Sequence, residues 1–178
     1  MNTKQKVLSL SKINNLTRSS KIKINIDYDD FINLLNLCVG FYKPISDFSN
    51  LSNVQSILKK SKIFNNKNWT IPILLRCKSK KNYKKNQYYL IKFKNKTVGC
   101  LKFKGLFEFD KKSFTKRVFG TISKNHPGAR RFLNSGNLFF NCKCYFAKES
   151  IPKNKYFKKA LSISKNKKSI ELKNSVAF

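Results

Sequence analysis

Residues 87–109, QYYLIKFKNKTVGCLKFKGLFEF, constrain the fold more than any other stretch. Tyr89, Ile91 and Phe93 recur at every second position, the period of a strand with one buried face. A second run of the same kind follows the polar Asn95–Lys96 pair, so the spacing predicts a β-hairpin. Residues 137–146, NLFFNCKCYF, predict a closing strand, and residues 69–77, WTIPILLRC, a short apolar one. The lysine-rich segment before the hairpin, KSKKNYKKNQ, is a charged loop.

Helical patterns precede the strands. In DYDDFINLLNLC, acids crowd the first turn, where the helix dipole favours them. Phe31, Leu34, Leu35 and Cys38 then recur at helical spacing, and Gly40 is a stop signal. LSNVQSILKKSK predicts a second helix with Ser52 as cap and Val54, Ile57 and Leu58 as its apolar stripe. NHPGARRFLNSG predicts a short one, with Pro127 in the first turn and Gly136 past the end. Phe157, Ala160 and Leu161 could line a C-terminal helix. Helices, then strands, with a short helix between them give an α+β fold built on a small barrel-like sheet.

The chain carries 39 Lys and Arg against 8 Asp and Glu, a net charge of +31. Nucleotide bias that enriches Lys and Asn would enrich Glu as well, and it has not. Residues 1–25 hold six basic side chains and no acid, which predicts a mobile basic tail. Residues 151–178 hold eight basic side chains and one acid, a second tail or a helix. Residues 26–150, the expected domain, keep 25 basic and 7 acidic side chains. Such a field attracts polyanions: RNA, DNA or an anionic surface. With 40% hydrophobic residues and 16 Phe, the chain is no disordered polycation. No apolar run approaches the roughly 20 residues of a membrane span. The first 20 residues lack a secretory core but share the composition of an organelle transit peptide; a cytoplasmic location is the expectation. Cys38, Cys77, Cys100, Cys142 and Cys144 are odd in number and scattered, which predicts reduced, mostly buried thiols. Cys142 and Cys144 lack the second pair a zinc site needs, so no metal or other cofactor is expected.

His126 is the only histidine, and no nucleophile or orienting acid is flagged beside it by a motif. Its place just before a helix start suits a hydrogen bond to nearby backbone. The segment around it, VFGTISKNHPG (Val118–Gly128), resembles the V-F-G-T-x-D-x-x-H-P-G signature of the N-terminal domain of ATP sulfurylase (sulfate adenylyltransferase). GFYKPISDF (Gly40–Phe48) is similar to that family's G-x-F-x-P-L-x-G-F at Gly40, Pro44 and Phe48, and WTIPI, with Trp69 and Pro72, to its W-P-I-P-I. The three occur in the family's order over roughly residues 30–150. The resemblance implies a PUA-like fold, a small mixed β-barrel with flanking helices. It also implies a structural role for Phe119, Gly120, His126, Pro127 and Gly128, because the family's chemistry lies in a following domain. Asp47 departs from the pattern by replacing a glycine, and Ser49, Thr70 and Ser123 by replacing methionine, proline and aspartate.

The family's catalytic motifs, Q-x-R-N-P-x-H-x-x-H and G-R-D-H-A, have no match here, and 28 residues follow Ser150. The expectation is a chain with no catalytic residues that cannot make adenylyl sulfate alone. Two functions remain open. One is a stand-alone PUA-like module that binds RNA or a ribonucleoprotein. Lys84 and Lys85 would meet phosphates, Tyr83, Tyr88 and Tyr156 would stack on unpaired bases, and Arg130 and Arg131 would flank a phosphate site at a helix start. The other is an accessory subunit, or remnant, of a sulfurylase whose catalytic chain is encoded separately.

Overall fold

The computed structural model describes residues 6–63, 66–155 and 157–159. Its elements run β1 (Val7–Leu8), α1 (Leu10–Thr17), β2 (Lys23–Asn25), α2 (Tyr28–Val39), α3 (Leu51–Lys60), β3 (Tyr88–Phe93), β4 (Lys96–Phe107), α4 (Lys111–Phe119), α5 (Pro127–Leu133) and β5 (Phe139–Ala147). The sheet is mixed, in the order β1-β5-β4-β3-β2. The central strands β3, β4 and β5 are antiparallel, and the edge strands β1 and β2 add in parallel. The fold is α+β.

The predicted hairpin is β3–β4, and its turn lies one residue earlier than the sequence suggested. Lys94 and Asn95 both take left-handed conformations, φ 46° and 62°, as a two-residue hairpin turn with the strands' own twist requires. β4 and β5 approach closely at Gly99, where a Cβ would lie 2.2 Å from the Tyr145 carbonyl oxygen. The period-two pattern holds along β5. Phe140, Cys142, Cys144 and Phe146 face the main core, while Lys143 is exposed.

α2 is bounded as its sequence dictates. The Asp27 carboxylate accepts from the Asp30 N–H at 3.0 Å, and Gly40 ends the helix at φ 93° with its N–H donating to the Asn36 carbonyl at 3.1 Å. Leu34, Leu35, Leu37 and Cys38 enter the core beneath the sheet. The cap of α3 is Asn50 rather than Ser52; its Oδ1 accepts from the Asn53 N–H at 2.9 Å. α5 ends at Asn134, so Gly136 is not its cap.

Two expectations are corrected. Residues 6–25 are not a mobile tail: β1 pairs Val7 with Phe146, β2 pairs Ile24 with Ile91, and α1 buries Ile13 between them. Residues 69–77 form no regular strand. Pro72 has no N–H for a ladder, and only the segment's end reaches the sheet, through Phe140 N–H to the Leu75 carbonyl (2.9 Å) and Cys77 N–H to the Leu138 carbonyl (2.8 Å). Lys111–Phe119 form α4, a helix that the sequence reading did not predict, whose N-cap Asp110 accepts from the Lys112 and Ser113 N–H groups. The suggested C-terminal helix over Tyr156–Ile163 lies mostly outside the described residues.

The cysteines Cys38, Cys77, Cys100, Cys142 and Cys144 are all free and buried. Burial pushes the Cys100 thiol up to about 12 and those of Cys38 and Cys142 well above the usual value. Cys38, Cys100 and Cys142 are therefore packing groups with little thiolate character.

Candidate nucleic-acid interface

Five of the acids, Asp27, Asp29, Asp47, Asp110 and Glu149, hold the fold. Asp27 caps α2 and pairs with Arg76 (3.3 Å) and Lys78 (3.4 Å). Asp29 pairs with Arg131, Asp110 caps α4, and Glu149 accepts from the Leu10 N–H. Asp47 is the departure from the signature glycine, and the structure gives it a task. Its Oδ1 accepts from Lys6 Nζ (2.6 Å) and from the Cys144 N–H (2.8 Å), tying the start of β1 to β5. Burial works against the Lys6 charge, yet the Asp47 charge and hydrogen bond hold its ammonium above the usual lysine value. Lys80, Lys81, Lys84, Lys85 and Lys143 are exposed to solvent, and Lys102 is half-buried.

One part of the sheet gathers these lysines around an aromatic ring. The register places Tyr88 of β3 opposite Lys102 of β4, and Lys102 opposite Lys143 of β5. Directly opposed residues share a face, so Tyr88, Lys102 and Lys143 stand in one row on the outer side. Lys102 Nζ lies 5.6 Å from the Tyr88 ring centre. The next row, Leu90, Cys100 and Tyr145, is covered by α1 through Ile13, Leu10 and Leu16. α1 stops there, which leaves the Tyr88 row half-buried to exposed.

The lysine-rich loop leads into this row. Tyr83 is not a free stacking platform: its ring sits 5.1 Å from Tyr89 and 5.3 Å from both Phe103 and Phe140, edge-on or tilted. It anchors the loop to the core instead, and burial pushes its hydroxyl up to about 12. The Lys84 N–H donates to the Tyr89 hydroxyl (2.5 Å), and the Asn86 N–H to the Phe103 carbonyl (2.7 Å). Lys78, Lys80, Lys81, Lys84 and Lys85 are left exposed around that anchor.

Arg130 and Arg131 do not lie at the start of α5, where the phosphate site was expected. They occupy its last turn, where cations favour the helix dipole, and Arg131 is held by Asp29. Tyr156 lies outside the described residues. Sequence reading missed Lys102 and Lys143, since only strand register brings them beside Tyr88.

His126 is the N-cap of α5. Its Nδ1 accepts from the Ala129 N–H at 3.1 Å, and Pro127 follows in the first turn. Its ring lies 5.3 Å from Phe119, and Gly128 leaves room for that contact, because a Cβ there would come 2.8 Å from Phe119 Cε1. Gly120 closes α4 at φ 72°. The other signature segments also meet: the Ser49 N–H donates to the Ile73 carbonyl (2.7 Å), and the Ile73 N–H to Ser49 Oγ (3.2 Å). Phe48 and Pro72 are buried beside them, Pro44 is half-buried, and Trp69 packs edge-on against Tyr42 at 6.2 Å. Replacing His126 with Ala is expected to remove about 1 kcal/mol of cap energy. A thermal melt would then fall by about 2–4 °C. RNA affinity per folded molecule should not change; an affinity loss without a stability loss would make His126 a ligand contact.

An α+β domain with a mixed five-stranded sheet and flanking helices fits a PUA-like module. The chain belongs to the PUA-like domain family, which matches residues 3–144. It is 31% identical over 123 residues to the sulfate adenylyltransferase of Ignicoccus hospitalis, covering 67% of this chain and 32% of that protein. It is 26% identical over 113 residues to that of Thermococcus onnurineus, covering 64% of this chain and 30% of that one. The chain thus spans about a third of the length of these relatives. A hexameric APS kinase from Thiobacillus denitrificans superposes with a TM-score of 0.55 at 11% identity, over 88% of this chain and 29% of that one, a likeness of fold alone. No helix among the described residues is long and apolar enough to cross a membrane.

Proposed function

We propose that this chain is a non-catalytic PUA-like module that binds single-stranded RNA across the Tyr88–Lys102–Lys143 row and the adjoining lysine loop. The supporting observation is the row itself, an aromatic ring and two lysines held in register on a sheet face that α1 covers only in part. Lysines at that spacing neutralise phosphates, and a ring at the end of the row stacks on an unpaired base whatever its sequence. The test is titration of a labelled oligouridine by the intact chain at several salt concentrations. Binding through phosphates should weaken linearly in log–log terms, by about 0.7 per contact. An affinity independent of salt, or none at low salt, would sink the reading.

A second reading draws on the relatives: a sulfate adenylyltransferase domain that works against a separately encoded catalytic chain. Its support is that Pro72, Phe119 and Gly128, three signature residues, line one cleft with the exposed Ile71 at its edge. Both readings expect the purified chain to release no pyrophosphate from ATP and sulfate, as the sequence lacks that family's catalytic motifs. Turnover above background, in protein free of host enzyme, would overturn both.

A further inference from the structure

The same cleft contains a feature that packing does not explain. It encloses about 330 Å³ between α2, α4, α5 and the Ile71–Arg76 segment, at the small end of ligand-sized clefts. Val118, Phe119 and Phe132 supply apolar and aromatic wall, and Phe132 is stacked on Phe114 at 4.3 Å. Asp30 lines it too. That side chain is 3% exposed, and its Oδ2 is buried without a hydrogen-bond partner among the described residues. An unmet carboxylate oxygen is costly, and native structures seldom keep one unless something fills the need. Arg76 and Arg131 also line the cleft, each with guanidinium donors beyond the one that meets Asp27 or Asp29.

We infer that this cleft holds a single unpaired guanine base, with Asp30 accepting from its Watson–Crick edge. Guanine is the base whose edge sets two adjacent donors, N1–H and the N2 amino group, toward a carboxylate. Its O6 and N7 are acceptors that suit arginine. Phe119 and Phe132 supply the apolar faces that a splayed-out base needs. The inference rests on the RNA reading, although a free guanine nucleotide offers the same chemistry.

The test compares four labelled oligonucleotides on the intact chain: all-uridine, and the same strand with one central guanosine, adenosine or cytidine. The guanosine strand should bind about tenfold or more tightly than the others. Asp30→Asn, which keeps the side chain's shape but turns one acceptor into a donor, should erase that increment and leave all-uridine binding unchanged. Lys102→Gln with Lys143→Gln should weaken all four strands and keep the increment. Guanosine monophosphate tested alone separates the sources. Saturable binding that Asp30→Asn abolishes, without an increment on the strands, supports the base site and assigns it to a free nucleotide. If all-uridine binds and neither guanosine arm exceeds its uridine control, the cleft inference fails while the RNA reading stands; a cleft reserved for a protein partner would give that result. If all-uridine does not bind, the RNA reading fails, and the nucleotide arm alone decides the cleft. The wild-type comparison among bases stands even if Asp30→Asn were to fold poorly.

Discussion

A chain that begins at residue 26 is expected to lose its cooperative unfolding transition at 25 °C or retain only a small part of its stability. By composition this truncation removes a basic tail; by structure it removes both edge strands and α1. Leu8 and Ile13, 8% and 0% exposed, leave the second core cluster and uncover Cys100 and Ala147. Burying two such side chains contributes roughly 1.5–3 kcal/mol each. The outer edges of β5 and β3 lose their parallel partners, and Asp47 loses Lys6. The total is comparable with the roughly 5–15 kcal/mol that holds a domain folded. Exposed edges of that kind also template aggregation. The check is a thermal melt followed by circular dichroism beside the intact chain. A truncated protein with an unchanged melt would mean that residues 6–25 pack on the domain without supporting it.

What the sequence shows and hides follows from the range of each interaction. The hairpin, α2 and the inward Cys142–Cys144 face are local patterns, with their cap at Asp27 and stop at Gly40 within a few residues. β1 and β2 have no such signature. They are two and three residues long, and their partners, Phe146 for Val7 and Leu90 for Lys23, lie far along the chain. The apolar run at 69–77 suggests a strand because periodicity does not weigh what Pro72 lacks. At the candidate site, Tyr88 is visible as an aromatic among lysines, but Lys102 and Lys143 join it only through register. Arg131 carries the same formal charge as Lys143, yet Asp29, 102 residues away, neutralises it. Asp30 looks like an ordinary first-turn acid. Only the folded chain shows that burial, with the Asp27 charge beside it, pushes its carboxyl up to about 7.

Replacing Lys102 and Lys143 with Gln and Tyr88 with Leu should have the largest effect on binding of any surface change. Leu keeps the apolar contact that Tyr88 makes with the cluster under α1, so the fold should survive. Stacking contributes roughly 1–3 kcal/mol per base, and on the proposed reading each lysine would supply one phosphate contact. Together the three changes should lower affinity for single-stranded RNA by about a hundredfold or more at low salt. Arg130→Ala serves as the control: it removes one positive charge from an exposed site away from the row and should change affinity little.

The most direct measurement is the salt dependence of oligouridine binding by the intact chain and by this triple variant, with melts to show that both are folded. The account predicts a straight log–log line for the intact chain and a slope shallower by about 1.4 for the variant, the loss of two single-strand phosphate contacts. Equal slopes and equal affinities in two folded proteins would contradict it, and the sheet face would then not be where RNA binds.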